Sequence, residues 1–244
     1  MKTFKNITKK IVNEIYQKLK TRWPVVTFDE NVQPHFFFLI TPPYSGSTAI
    51  AKLLSSSSRI MCLKENGEGQ WLVPGLCEID RWDPEKEINY ESVKSVWLRV
   101  YQKEKELNSH VDVVIEKSPP NMMRLEQLSS QFSNYSLLVN NRNPYANCAS
   151  ILYRLHDPQN LSATKRKEVL ARLVKDWLTR SKKLRALITK HNIPLLTYEK
   201  FCENPASILE VLDLPDGVSD SININAEVKV KDYQVQAISN QNER

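Results

Sequence analysis

Ser45, Gly46, Ser47 and Thr48 follow the apolar run Phe36-Phe37-Phe38-Leu39-Ile40 and lead into Ala49-Ile50-Ala51-Lys52-Leu53-Leu54, a helical pattern. A buried strand, a tight loop of small residues and a helix opening on two hydroxyls make an anion cradle. The first N–H groups of a helix have no intrahelical partner and lie at the positive end of its dipole, where a phosphate sits most easily. A nucleotide-type ligand is therefore expected. The loop lacks the leading glycine and the Gly-Lys pair of a Walker A sequence, so a magnesium-dependent ATPase or kinase is disfavoured. A second cluster begins at Arg142, which closes the apolar run Leu137-Leu138-Val139, with Asn143-Pro144 next and Ser150 eight residues on. An arginine at a strand end and a serine two turns into the following helix can share a second phosphate.

The elements that must position these groups alternate. Short, apolar, unalternating runs at 35–41, 59–63, 111–115, 135–140 and 193–197 read as strands buried on both faces. Helical patterns at 47–57, 89–107, 121–132, 144–156 and 162–191 separate them, and Asn204-Pro205 opens a short helix through Leu212. Strand alternating with helix implies an α/β fold with a central parallel sheet between helical layers. Ligands of such sheets gather at the carboxyl ends of the strands. The residues just after four of the strands are Tyr44–Thr48, Lys64–Glu68, Glu116–Asn121 and Asn141–Asn147, and they are expected to converge on one pocket.

With 244 residues, 41% of them hydrophobic, and no Gly/Ser-rich or Pro-rich linker, one domain over 1–244 is expected. It divides into an amphipathic helix at 1–23, a core at 35–212 and a C-terminal segment at 213–244. Cys62, Cys77, Cys148 and Cys202 are scattered, with neither the spacing of a disulfide framework nor that of a zinc site, so no metal is expected. Apolar runs too short to span a bilayer, and no apolar leader, point to a soluble, cytoplasmic protein. The net charge of +6 is concentrated in residues 162–190, which hold ten Lys/Arg against Glu168 and Asp176. Val169, Leu170, Leu173, Trp177, Leu184 and Leu187 mark the buried stripe of that helix, leaving the basic residues as a solvated face rather than a nucleic-acid surface.

Four landmarks together, over about residues 35–212, resemble the sulfotransferases that use 3'-phosphoadenosine 5'-phosphosulfate (PAPS), above all the carbohydrate and protein-tyrosine enzymes. Tyr44-Ser45-Gly46-Ser47-Thr48 is similar to the family's 5'-phosphosulfate loop, and Arg142 through Ser150 to its 3'-phosphate motif. Glu116-Lys117-Ser118-Pro119 resembles the Glu-Lys-Ser-Pro element, and Thr197-Tyr198-Glu199 with Asn204-Pro205 the late strand-helix landmark. The resemblance implies a P-loop-like fold of three layers and transfer of a sulfuryl group from PAPS to a hydroxyl or amine of a carbohydrate, a peptide or a small metabolite. Tyr44 stands where the family usually has Lys or Arg, the cation that stabilises charge on the departing oxygen. The resemblance makes Lys117 the candidate replacement, and it makes Glu65 or Glu68 the base that takes the acceptor proton. A second reading follows from Tyr44: a protein of this fold that binds 3'-phosphoadenosine 5'-phosphate (PAP), PAPS or a sulfated ligand without catalysis.

Overall fold

A computed structural model describes residues 33–78 and 80–226. The helix expected at 1–23 and the C-terminal segment past 226 lie outside the described residues. The strands are β1 (His35–Ile40), β2 (Ile60–Cys62), β3 (Val113–Glu116), β4 (Tyr135–Asn141) and β5 (Leu195–Thr197). They form one parallel sheet in the order β2-β3-β1-β4-β5. The chain leaves β1 for β2, returns to β3 and then crosses to β4 on the other side. Strand order thus reverses around β1, where an open α/β sheet opens its ligand crevice.

Every β1 residue from Phe36 to Ile40 is buried, since side chains alternate between two covered faces. Phe37 and Leu39 pack with Ile50, Leu53 and Leu54 of α1 (Ser47–Leu54) and with Phe201, Ile208 and Val218. Phe36 and Phe38 turn the other way, with ring centroids 4.4 and 5.2 Å from Phe132, and Phe36 lies 6.3 Å from Trp97 of α2 (Tyr90–Leu107). The unalternating apolar strand is the imprint of a sheet with helices on both sides.

The remaining helices are α3 (Leu125–Ser129), α4 (Pro144–Leu155), α5 (Ala163–His191) and α6 (Tyr198–Glu203). Side-chain caps start four of the six α-helices among the described residues. Asn89 accepts from Ser92 N–H, Asn143 from Tyr145, Ser162 from Lys165 and Thr197 from Lys200, each bond satisfying a first-turn donor. Two expectations are revised. The helix anticipated at 121–132 is a 3₁₀ turn, Pro119–Met123, followed by the short α3, because Arg124 between them leaves the helical region at φ −135°. Asn204 caps its own segment and Pro205 starts it, but a 3₁₀ helix ends it at Ile208. No helix among the described residues is long and apolar enough to cross a membrane.

Trp97 links the core to the strand-end loops. It is fully buried, and its Nε1–H donates to Gly69 O at 3.0 Å. Trp97→Ala removes the ring and orphans a buried carbonyl, so a loss of about 3–5 kcal/mol in urea unfolding is expected. A loss below about 1 kcal/mol would show that α2 is not anchored through this residue.

Candidate active site

Loops following all five strands border one cavity of about 1020 Å³. After β1, Pro43, Tyr44, Gly46, Ser47 and Thr48 line it; after β2, Asn66 and Glu68; after β3, Lys117 and Pro119. Arg142 enters after β4 and Tyr198 after β5.

The β1 loop is shaped by two residues at positive φ, Tyr44 at +61° and Gly46 at +83°. Gly46 is the N-cap of α1, and no side chain caps that helix, so its first N–H groups are presented to the cavity mouth. A Cβ at Gly46 would fall 2.1 Å from ring carbons of Tyr198, inside the ring's own volume. Only glycine fits. The far side of the loop is held from α4, where Asn147 Nδ2 donates to Pro43 O at 2.9 Å and to Ser45 Oγ at 3.3 Å. Ser45 is therefore wholly buried and outside the cavity lining, while Ser47 and Thr48 line it. Tyr44 packs its ring against the cluster of Cys148, Ile151 and Leu152, with Arg154 Cζ 5.6 Å from the ring centroid.

Arg142, 8% exposed, places its Cζ 4.8 Å from the centroid of Tyr198 and donates from Nη1 to Tyr44 O at 3.3 Å. Its Nε is buried without a partner. A buried unsatisfied guanidinium donor is costly, on the order of 1–3 kcal/mol. The turn that carries it is fixed by Trp177 Nε1–H donating to Arg142 O at 3.0 Å, and by Asn143 N–H donating to Glu199 Oε1 at 2.9 Å. Ser150, buried in α4, lines the same cavity.

On the β3 side, Lys117 is 2% exposed and its Nζ lies 3.8 Å from Glu68 Oε1. Burial lowers its pKa, and the Glu68 charge pulls it back up. Gly67 accepts from Lys117 N–H at 2.9 Å and lets the lysine stem pass, since a Cβ there would meet Lys117 Cγ at 2.9 Å. Glu68 is the N-cap of a 3₁₀ helix, Gly69–Leu72, yet its carboxylate does not cap it. It instead accepts from Trp71 Nε1 at 2.9 Å and faces Arg81 Nη2 at 3.6 Å. Glu65 is exposed and outside the cavity lining. The two glutamates between which the sequence does not decide thus occupy different environments, and only Glu68 faces the ligand space.

Two lysines and five arginines line the cavity: Lys52, Lys117, Arg81, Arg142, Arg154, Arg172 and Arg180. Their only carboxylate neighbours in the lining are Glu68 and Asp176, so the space is strongly positive. Arg81, Arg154, Arg172, Arg180 and Tyr198 were not singled out as ligand contacts by sequence reasoning. The signal for part of this set was present: 172, 176 and 180 recur every fourth residue and so share one face of α5. Among the described residues no group of three or more His, Cys, Asp or Glu could hold a metal ion.

No family model and no curated protein matches this chain. Among solved structures, it is similar to a sulfotransferase from Alicyclobacillus acidocaldarius, with 16% identity over 81% of this chain and 87% of that one and a TM-score of 0.45. It is similar to the sulfotransferase domain of the curacin biosynthetic pathway, with 16% identity over 86% and 98% and a TM-score of 0.45. A sulfotransferase domain of the Synechococcus PCC 7002 olefin synthase matches with 16% identity over 80% and 78% and a TM-score of 0.46.

Glu116, just before Lys117, holds the β2 and β3 loops together. Its Oε2 accepts from Gly69 N–H at 2.5 Å, and its Oε1 accepts from Ser118 N–H at 2.8 Å and from Asn121 Nδ2 at 3.0 Å. Complete burial raises its pKa from 4.5 to about 7, against the pull of those donors. The folded state therefore binds the proton more tightly than the unfolded state does. The stability contribution of this group is complete below pH 4.5 and is lost as pH rises to about 7. Glu116→Gln cannot ionise and is expected to lack that slope. Between pH 5 and 8, urea unfolding of the native protein should lose on the order of 3 kcal/mol relative to the variant; parallel pH profiles would refute a buried titrating carboxyl.

Proposed function

We propose that the protein is a sulfotransferase that moves a sulfuryl group from PAPS to a hydroxyl or amine. One observation carries the reading: the uncapped N-terminus of α1 and the guanidinium-bearing side chain of Arg142 border the same positive cavity. A nucleotide phosphorylated at both ends meets both demands. The backbone of the Ser45–Thr48 loop, with the Ser47 and Thr48 hydroxyls, would take the 5'-phosphosulfate, and Arg142 with Ser150 the 3'-phosphate. Ser45, with its side chain engaged by Asn147, contributes through its backbone.

In the reaction, the acceptor oxygen forms a bond to sulfur as the bond from sulfur to the bridging oxygen breaks. That electron pair leaves on the 5'-phosphate of PAP, and the acceptor proton passes to Glu68. Lys117 neutralises the developing negative charge, and the Glu68 charge opposes the lowering of its pKa by burial. Arg154, stacked on Tyr44, supplies positive charge beside a loop whose own residue cannot. Positioning and neutralisation account for the rate, as in phosphoryl transfer.

Calorimetry with PAP and transfer of radiolabelled sulfate from PAPS test this reading. Arg142→Ala is expected to weaken PAP about 10- to 100-fold, and an unchanged affinity would remove the 3'-phosphate assignment. Glu68→Gln should lower kcat about 10²- to 10⁴-fold, while Glu65→Gln leaves it within about twofold of the native value. Tight PAP binding with no transfer to any acceptor would favour the second reading, a binding protein in which Tyr44 has replaced the catalytic cation.

A further inference from the structure

Arg81 and Arg180 converge on one indole. Arg180 Cζ lies 5.0 Å and Arg81 Cζ 5.9 Å from the ring centroid of Trp82, all three residues lining the cavity. Two like charges drawn to one ring repel each other, a cost that an anion held near both would offset. Arg180 makes no ion pair among the described residues, and burial lowers its pKa, with only partial compensation from Asp176. Arg81 keeps a buried Nε without a partner. One helical turn below Asp176 and two below Arg180, Arg172 faces the same space, about 12 Å along α5 from Arg180. A partly desolvated cation whose charge is only partly compensated is expensive to keep.

We propose that these arginines hold an oxyanion belonging to the acceptor itself, so that the acceptor is a hydroxyl compound already carrying a carboxylate, phosphate or sulfate. The proposal rests on the transferase reading above. The pocket adjoins the proposed acceptor end rather than the nucleotide: Arg81 is ion-paired at 3.6 Å with Glu68, the group assigned above to the acceptor proton. The phosphates have partners elsewhere, at the α1 terminus and at Arg142. Arg81 and Arg180 hold the anionic group beside the base, and Arg172 extends the positive wall along α5.

The test uses the full chain saturated with PAP and three probes: glucose, glucuronate and glucose 6-phosphate. Both anionic sugars are expected to bind about 10- to 100-fold more tightly than glucose by calorimetry, and a preference between them would tell carboxylate from phosphate recognition. Arg180→Met and Arg172→Met should abolish most of that difference while leaving PAP affinity within about twofold, and Arg180→Lys should restore part of it. Intact PAP binding in the variants reports that they are folded. Equal binding of glucose and the anions would overturn the proposal. So would displacement of the anions by PAP, or a loss of PAP affinity in Arg180→Met as large as that in Arg142→Ala. Anion binding that depends on Arg180 in a protein that does not bind PAP would uphold the pocket and overturn the nucleotide reading alone.

Discussion

The missing side chain of Gly46 is the constraint on which the site depends. The Tyr198 ring occupies the volume a Cβ would need, and Arg142 lies against that ring. A glycine in the β1 loop, a tyrosine after β5 and an arginine after β4 therefore form one packed unit. Any side chain at 46 would push the ring away, and with it the support of the guanidinium. The positive φ at Gly46 also turns the chain so that α1 begins with its N–H groups facing the cavity. Loop geometry and cation placement share one cause.

A second unit stands on the other side of β1, around a buried carboxylate. Glu116 gathers N–H donors from two loops and so fixes Gly69 next to Ser118. Fixing Gly69 fixes Glu68 beside it, and Lys117 follows Glu116 directly in the chain. The carboxylate and the ammonium, side by side on one wall of the cavity, are thus held by their neighbours' backbone bonds as well as by their own attraction at 3.8 Å. Such support is what the proton-accepting role proposed for Glu68 requires, because a displacement of an ångström is costly in rate. Trp97 completes the unit by bonding to Gly69 O from α2.

Charge is distributed unevenly around these two units. The five arginines of the lining come from four different segments, so no single run of sequence gathers them. α5 supplies two of them and is itself tied to the end of β4, by Trp177 bonding to Arg142 O and by Asn141 Nδ2 donating to Ser181 Oγ at 3.1 Å. The face of α5 turned to the cavity is accordingly placed with the same accuracy as Arg142. Most of the basic face expected to be solvated is so, Arg172 staying exposed at the cavity rim while Arg180 is half-buried; of the expected stripe Val169, Leu173, Leu184 and Leu187 are buried, and Leu170 and Trp177 only half-buried.

The sequence by itself determined the α/β class, the five strands and the loops that meet at their carboxyl ends, because these follow from local rules: unbroken apolar runs, caps, and glycine or proline at turns. Asn143-Pro144 and Asn204-Pro205 were legible for that reason. Tertiary structure decided what local rules do not reach. Glu65 and Glu68 differ by three residues and share a loop, and only the folding of that loop over Lys117 and Glu116 turns one to solvent and the other to the cavity. Tyr198 and Arg180 acquire their places through contacts with Gly46 and Trp82, far away in the chain, and Arg81 through the folding of its own loop against Glu68 and Trp71, and such packing leaves no periodic trace in the chain. The 3₁₀ turn at Pro119 and the stop at Ile208 fall between these extremes, since proline was visible in both but the length of what followed was set by neighbouring elements.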